Sequence, residues 1–228
     1  MKRDKISIAI DGPAGAGKSA VSAELAKFFR FIHFDTGALY RVLGYFFLIN
    51  KLDFKDESIV CKNLESSRIR FKLQDGIQRM FLGKNEVTNE IRSDQVSFAA
   101  SIVSSFVCSR NFLLKTQRDI AKNNDVIMDG RDIGTVVLPN ANIKIFLTAS
   151  PEVRAKRRFE DLRSKGFETD YETVFSSIIN RDKNDSTRAV APLVPAEDSI
   201  IYDTTNVIFE EVFKNLSDKI VSKLKLES

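Results

Sequence analysis

The 228-residue chain is 43% hydrophobic and 29% charged, a balance that fits a folded globular protein and excludes a disordered one. Its 35 basic and 31 acidic residues leave a net charge of +4, which suits an anionic ligand without calling for nucleic acid. No apolar run approaches the roughly 20 residues needed to span a bilayer, so no membrane partner is expected.

In chain order, a basic N-terminus (residues 1–5) precedes an apolar run at 6–10 that Asp11 breaks at once. That run is too short for the core of a signal peptide, so a cytoplasmic protein is expected. Residues 6–10 are β-branched-rich and read as a buried strand. Gly12-Pro13-Ala14-Gly15-Ala16-Gly17-Lys18-Ser19 follows and matches G-x-x-x-x-G-K-[ST] at every fixed position. A helix-prone segment begins at Ala20 and runs to residue 29. The glycines permit a loop whose N–H groups turn inward on phosphate oxygens, at a helix N-terminus that favours anions. Gly12 through Ala20 are therefore the expected ATP-binding residues. Lys18 is expected at the β and γ phosphates and Ser19 on Mg²⁺. The motif says nothing about the acceptor.

A second strand is expected at 31–34. It contains His33, the only histidine, which reads as structural rather than catalytic. About ninety residues then separate it from the next strand, more than a crossover helix requires, so an insertion must lie between. Within it, residues 69–73 alternate apolar and basic, a turn follows at Gln74-Asp75-Gly76, and further short apolar stretches run to 87. This reads as a small antiparallel meander. Residues 94–121 read as helical. Cys61 and Cys108 are distant and lack CxxC spacing, so both are expected as reduced, partly buried thiols.

Strands are next expected at 126–128, 143–147 and 200–202. Their alternation with helices predicts a doubly wound α/β fold. Asp129, at the end of the 126–128 strand, is placed where an acid can hold the metal, although a strand-end Asp is also a common turn residue. Asp129-Gly130-Arg131-Asp132 puts two carboxylates and a guanidinium at the carboxyl end of a strand, where ligands of open α/β sheets bind. Between 150 and 190, Ser150-Pro151-Glu152 starts a helix. Arg154, Arg157, Arg158 and Arg163 lie on its polar faces, and Gly166 stops it. A second arginine-bearing helix runs through Arg181 to Arg188.

Four stretches resemble cytidylate kinases of the bacterial type, within the P-loop nucleoside monophosphate kinases: residues 34–41, residues 129–137, Gly166-Phe167 and residues 188–196. With the P-loop they occur in the family's order and cover nearly the whole chain. The resemblance implies a single kinase domain with a five-stranded parallel core (1–39, 98–149 and 192–228). It also implies a monophosphate-binding insertion (40–97) and a helical lid (150–191). It implies Mg²⁺-dependent transfer of the γ-phosphoryl of ATP to CMP and dCMP. Carried over to this chain, Thr36, Tyr40 and Arg41 edge the monophosphate site. Ser101, Arg110, Asp132 and Arg188 read the cytosine base, and Arg181 and Asp185 lie near the sugar and lid. Lys18, Asp129, Arg131 and a lid arginine, Arg158 (or its neighbour Arg157), serve the transfer itself. A monomer is the default expectation. Kinases for other small acceptors share the P-loop, but the 129–132 and 188–196 stretches favour cytidylate. A nucleotide switch is the reading of a different class, and it needs a sensing loop and a partner surface rather than a second nucleotide site.

Overall fold

The computed structural model describes residues 5–74, 76–164 and 166–225. The basic residues 1–4 and the turn residue Asp75 lie outside the described part. Five parallel strands form the centre: β1 (Ser7–Asp11), β2 (Ile32–Asp35), β6 (Val126–Gly130), β7 (Ile143–Thr148) and β8 (Ile200–Asp203), in the order β2-β6-β1-β7-β8. The three inner strands are β6, β1 and β7. Every residue of β6 is buried, as is all of β1 beyond Ser7, because helices cover both faces.

One face is closed by α1 (Lys18–Phe29) and α8 (Phe209–Leu224), through Val21, Leu25, Leu216 and Ile220 against Ile8, Ile10, Ile145 and Leu147. The other is closed by α2 (Thr36–Ile49), whose Leu39, Val42, Leu43 and Phe46 join Phe34 and Met128 in the largest core. This stripe repeats at three and four residues, as a helix buried along one side requires. α2 packs closely on α4 (Asp94–Val103). A Cβ on Gly44 would stand 2.8 Å from the backbone nitrogen of Ala100, so only glycine permits that approach.

The meander forms as β3 (Ile69–Gln74), β4 (Ile77–Leu82) and the short β5 (Asn85–Glu86), an antiparallel sheet separate from the main one. Gln78 ties it to the core: Gln78 Oε1 accepts from the Asp35 N–H at 2.8 Å.

The helix expected over 94–121 is two helices. α4 ends at Val103, and α5 (Val107–Asn123) leaves it at about 100°. The Ser104 and Ser105 hydroxyls donate back to the carbonyls of Ser101 and Ile102 at 2.8 and 2.7 Å. Such back-bonding competes with the helical ladder and favours a break there.

The expectation of two free thiols is overturned. Cys61, on α3 (Glu57–Asn63), and Cys108, in the first turn of α5, form a disulfide with Cα atoms 5.7 Å apart. The fold lays α3 across the start of α5. Chain spacing carries no sign of a crossing made 47 residues apart.

Pro151–Ser164 forms α6 and Tyr171–Thr187 forms α7, packed on each other through Ala155, Leu162, Val174 and Ile178. The Ser150 hydroxyl accepts from the Val153 N–H, and Gly166 follows α6 with φ +80°. Among the described residues, no single helix is long and apolar enough to cross a membrane.

Candidate active site

The parallel register sets three carboxylates along one edge of the sheet. Asp35 of β2 lies beside Asp129 of β6, and Asp11 of β1 beside Gly130. Above this carboxyl edge opens a cleft of about 1220 Å³. That exceeds the roughly 300–1,000 Å³ of a pocket for one small ligand and leaves room for two nucleotides. All the site residues expected from the sequence line it except Gly12, Pro13 and Ala16, which are buried within the loop. Gly12 has φ +147°, and a Cβ there would collide with the carbonyl oxygen of Leu147, so the loop can leave β1 only through glycine.

At the loop, Lys18 folds back so that Nζ donates to the Pro13 carbonyl at 2.7 Å, and only 6% of it is exposed. Burial, and then the charge of Arg131, pull its pKa well below that of an ordinary lysine. Ser19 Oγ donates to Asp129 Oδ2 at 2.7 Å. The other carboxylate oxygen, Oδ1, lies 2.6 Å from His33 Nε2, and Thr36 Oγ1 donates to the Asp129 carbonyl at 2.8 Å. Burial lowers the His33 pKa, but the hydrogen bond and charge of Asp129 outweigh it, and the net direction is upward. A serine hydroxyl beside a buried carboxylate is a hard-oxygen donor pair of the kind Mg²⁺ prefers, so these residues fit that ion.

Beyond the loop lies a set of arginines, most of them held by acids. Arg41 pairs with Asp35, whose side chain also caps α2 by accepting from the Ala38 N–H. Arg131 Nε donates to Asp185 Oδ2 at 2.9 Å, and Arg181 Nε stands 4.0 Å from the same oxygen. Burial pushes the Asp185 carboxyl up, but Arg131 and Arg181 more than reverse this and hold it below its ordinary value. Burial and the nearby Arg131 bring Arg181 down to about 10. The two arginines expected of a lid differ. Arg157 bonds the Thr204 hydroxyl and carbonyl at 2.9 and 2.8 Å, next to β8. Arg158 reaches out to Asp94 at the start of α4, at 2.6 Å, and to Asp161.

The far end of the cleft is built around Asp132. Arg110, on α5, pairs with Asp132 Oδ2 and donates from Nη1 to the Ser104 carbonyl at 2.9 Å. Arg188 approaches Asp132 Oδ1 at 3.5 Å and donates from Nε to the Ala191 carbonyl at 2.7 Å. The Arg110 guanidinium lies 5.7 Å from the Tyr40 ring centre, and Ser101 lines the wall nearby. Two simpler roles for Asp132, pairing with Arg131 or capping the following turn, do not occur: Arg131 pairs with Asp185, and Asp132 makes no side-chain cap. That turn, residues Ile133–Val137, is a single wide π-type turn held by buried Asp11, which accepts from the Ile133 and Gly134 N–H groups at 2.7 Å each. Burial raises the Asp11 carboxyl to about 6.

Ser104, Asp35, Asp11 and Asp94 are site residues the sequence reading did not single out. Asp35 adjoins Thr36 in a stretch already noted. Ser104 contributes through its carbonyl at a helix break, which no sequence pattern marks.

The family model described as cytidylate kinase matches residues 8–222. A cytidylate kinase of Caldicellulosiruptor bescii is 49% identical over 98% of this chain and 99% of its own. Another, of Carboxydothermus hydrogenoformans, is 47% identical over 95% and 97%. Among solved structures, a shikimate kinase from Bacteroides thetaiotaomicron superposes with a TM-score of 0.51 at 12% identity, covering 97% of this chain and 99% of that one, a likeness of fold alone. The P-loop, the five-stranded parallel sheet and the match over residues 8–222 together make this chain a member of the cytidylate kinase family.

Proposed function

We infer that the chain transfers the γ-phosphoryl of ATP directly to the phosphate of CMP or dCMP, giving CDP or dCDP, with Mg²⁺ as cofactor. The observation that carries the acceptor's identity is Asp132 held between two guanidinium groups at the cleft end away from the P-loop. A carboxylate accepts from the cytosine 4-amino group, and guanidinium groups donate to N3 and O2. Uracil presents an acceptor and a proton at the first two of these positions, leaving buried polar groups mismatched.

In this reading the Gly12–Ala20 loop cradles the ATP phosphates, and Ser19 with Asp129 holds Mg²⁺, which shields phosphate charge when bound. Thr36, Tyr40 and Arg41 border the CMP phosphate and sugar. The Thr36 hydroxyl is already given to the Asp129 carbonyl, so it acts by fixing that corner. Residues 40–97 act as the monophosphate-binding insertion and 150–191 as the lid. The core comprises 1–39, 98–149 and 192–228.

A CMP phosphate oxygen attacks the γ-phosphorus in line, and the β–γ bridging oxygen leaves with the bond pair. The transition state is loose and rich in charge, so positioning and cations carry the catalysis. Lys18, Arg131, Arg158 and Arg181 are the cations within reach. Arg158 suits the lid role better than Arg157, because its partner Asp94 is exposed and exchangeable, whereas Arg157 is anchored to the core at Thr204. Lid closure would exclude water and suppress ATP hydrolysis.

A coupled assay across the common nucleoside monophosphates tests this. CMP and dCMP should be phosphorylated with UMP at least about 10²-fold poorer, from mismatches of about 1–3 kcal/mol each. Equal use of UMP, or ATP turnover without an acceptor, would contradict it.

A further inference from the structure

His33 has no part in the reaction as described, yet it touches the residue on which the metal pair depends. It projects from β2, beside β6, and its Nε2 lies 2.6 Å from Asp129 Oδ1. Asp129 is 3% exposed, and its two carboxylate oxygens are engaged from different elements: Oδ1 by His33 on β2, Oδ2 by Ser19 on α1. An aspartate at a strand end otherwise keeps freedom about both side-chain torsions. With only the Ser19 contact, the carboxylate could turn either oxygen, or neither, toward the hydroxyl.

The tautomer follows from the same geometry. A carboxylate oxygen only accepts, so at this separation Nε2 must carry the proton. Both the neutral Nε2–H form and the imidazolium satisfy this, and the contact does not depend on which is present.

We propose that His33 is a positioning residue for the divalent cation: by donating from Nε2 to Asp129 Oδ1, it fixes the carboxylate so that Oδ2 faces the Ser19 hydroxyl, and so sets how strongly the Ser19–Asp129 pair holds the metal that accompanies ATP. This rests on the metal-holding role given to that pair above. Partners that orient a metal-holding carboxylate or imidazole from outside its coordination sphere typically change metal affinity by about 10–100-fold when removed.

The test compares His33→Phe, which keeps a ring but removes the donor, with His33→Gln, which restores an N–H donor. Calorimetry measures the affinity for β,γ-methylene-ATP with saturating Mg²⁺ and again with EDTA, and the ratio isolates the metal's contribution. His33→Phe should cut that ratio by about 10-fold. Affinity in EDTA, and affinity for CMP alone, should stay at the wild-type level. His33→Gln should recover most of the ratio. An unchanged ratio in His33→Phe, or an equal loss in His33→Gln, would overturn the proposal and leave His33 a packing residue. If His33→Phe does not fold, His33→Met, smaller and without a donor, replaces it with the same expectations. CMP phosphorylation by the wild-type protein is assayed in parallel. Wild-type turnover of CMP with an unchanged ratio refutes only the role of His33, whereas absence of CMP turnover refutes the reading of the site beneath it.

Discussion

The two ends of the cleft are built on opposite plans. At the Asp132 end the groups are buried and bonded to one another and to fixed backbone: Arg110 to the Ser104 carbonyl, Arg188 to the Ala191 carbonyl, both to Asp132. At the P-loop end, apart from Arg131 on buried Asp185, the cations lean on replaceable partners. Lys18 rests on a carbonyl, Arg41 on Asp35, Arg158 on exposed Asp94, and buried Arg181 Nε makes no hydrogen bond among the described residues. The first end resembles a finished template, in which a mismatched base leaves buried groups unpaired. The second resembles a set of charges waiting for an anion, where arriving phosphates displace weaker partners. Specificity should therefore reside at the Asp132 end and rate at the P-loop end.

The largest expected effect tests the P-loop end. Lys18→Ala should lower kcat by at least about 10²-fold, the size typical of removing one preorganised electrostatic group. The fold should persist, because among the described residues the Lys18 side chain makes a single hydrogen bond, to a loop carbonyl. Steady-state CDP production by a folded Lys18→Ala protein at near wild-type rate would break the division proposed here.

The disulfide braces α5 two residues before Arg110. A crosslink spanning 47 residues restricts the unfolded chain by an amount worth about 4 kcal/mol in the chain-entropy account. The Cys61→Ser/Cys108→Ser protein should thus be less stable than the oxidised wild type by about 2–4 kcal/mol in urea unfolding. Because Ser104 and Asp132 still hold Arg110, its preference for CMP over UMP should be retained. A loss of that preference would show that the Asp132 end depends on the brace.

The smallest effect is at the mouth of the cleft. Asp94 and Arg158 are both partly exposed, and such pairs contribute about 0–1 kcal/mol. Asp94→Asn should leave Arg158 paired with Asp161 alone and change the KM for ATP by about threefold or less, with stability nearly unaltered. A change of tenfold or more in kcat would mean that Asp94 does more than park the lid arginine.

What the sequence made legible follows from how local each signal is. The P-loop is one uninterrupted stretch whose glycines are dictated by backbone geometry, and it emerged where expected. The five strands were readable because all-parallel strands buried on both faces become short apolar runs. Asp132 was legible as a carboxylate at the ligand-binding end of a strand, but its grouping with Arg110 and Arg188 was reachable only through the family resemblance, since the three come from the turn after β6, α5 and the end of α7, and nothing in their spacing joins them. The break at Ser104–Phe106 was missed because residues 94–121 are helix-prone throughout, and the interruption comes from serine back-bonding. The disulfide was missed because it records where α3 crosses α5. His33 looked structural because a single histidine in an apolar strand gives no hint of the carboxylate beside it on the next strand.

The measurement that bears most directly on the division between the two ends is kcat/KM for CMP and for UMP, in the wild type and in Asp132→Asn. An amide can donate to the uracil O4 and accepts less well from the cytosine amino group. Asp132→Asn should therefore lose activity with CMP and narrow the CMP-to-UMP gap by about 10-fold or more, the equivalent of one mismatched buried hydrogen bond. A fall in kcat/KM by the same factor for both nucleotides would contradict the account, leaving Asp132 a structural anchor for Arg110 and Arg188 rather than the group that reads the base.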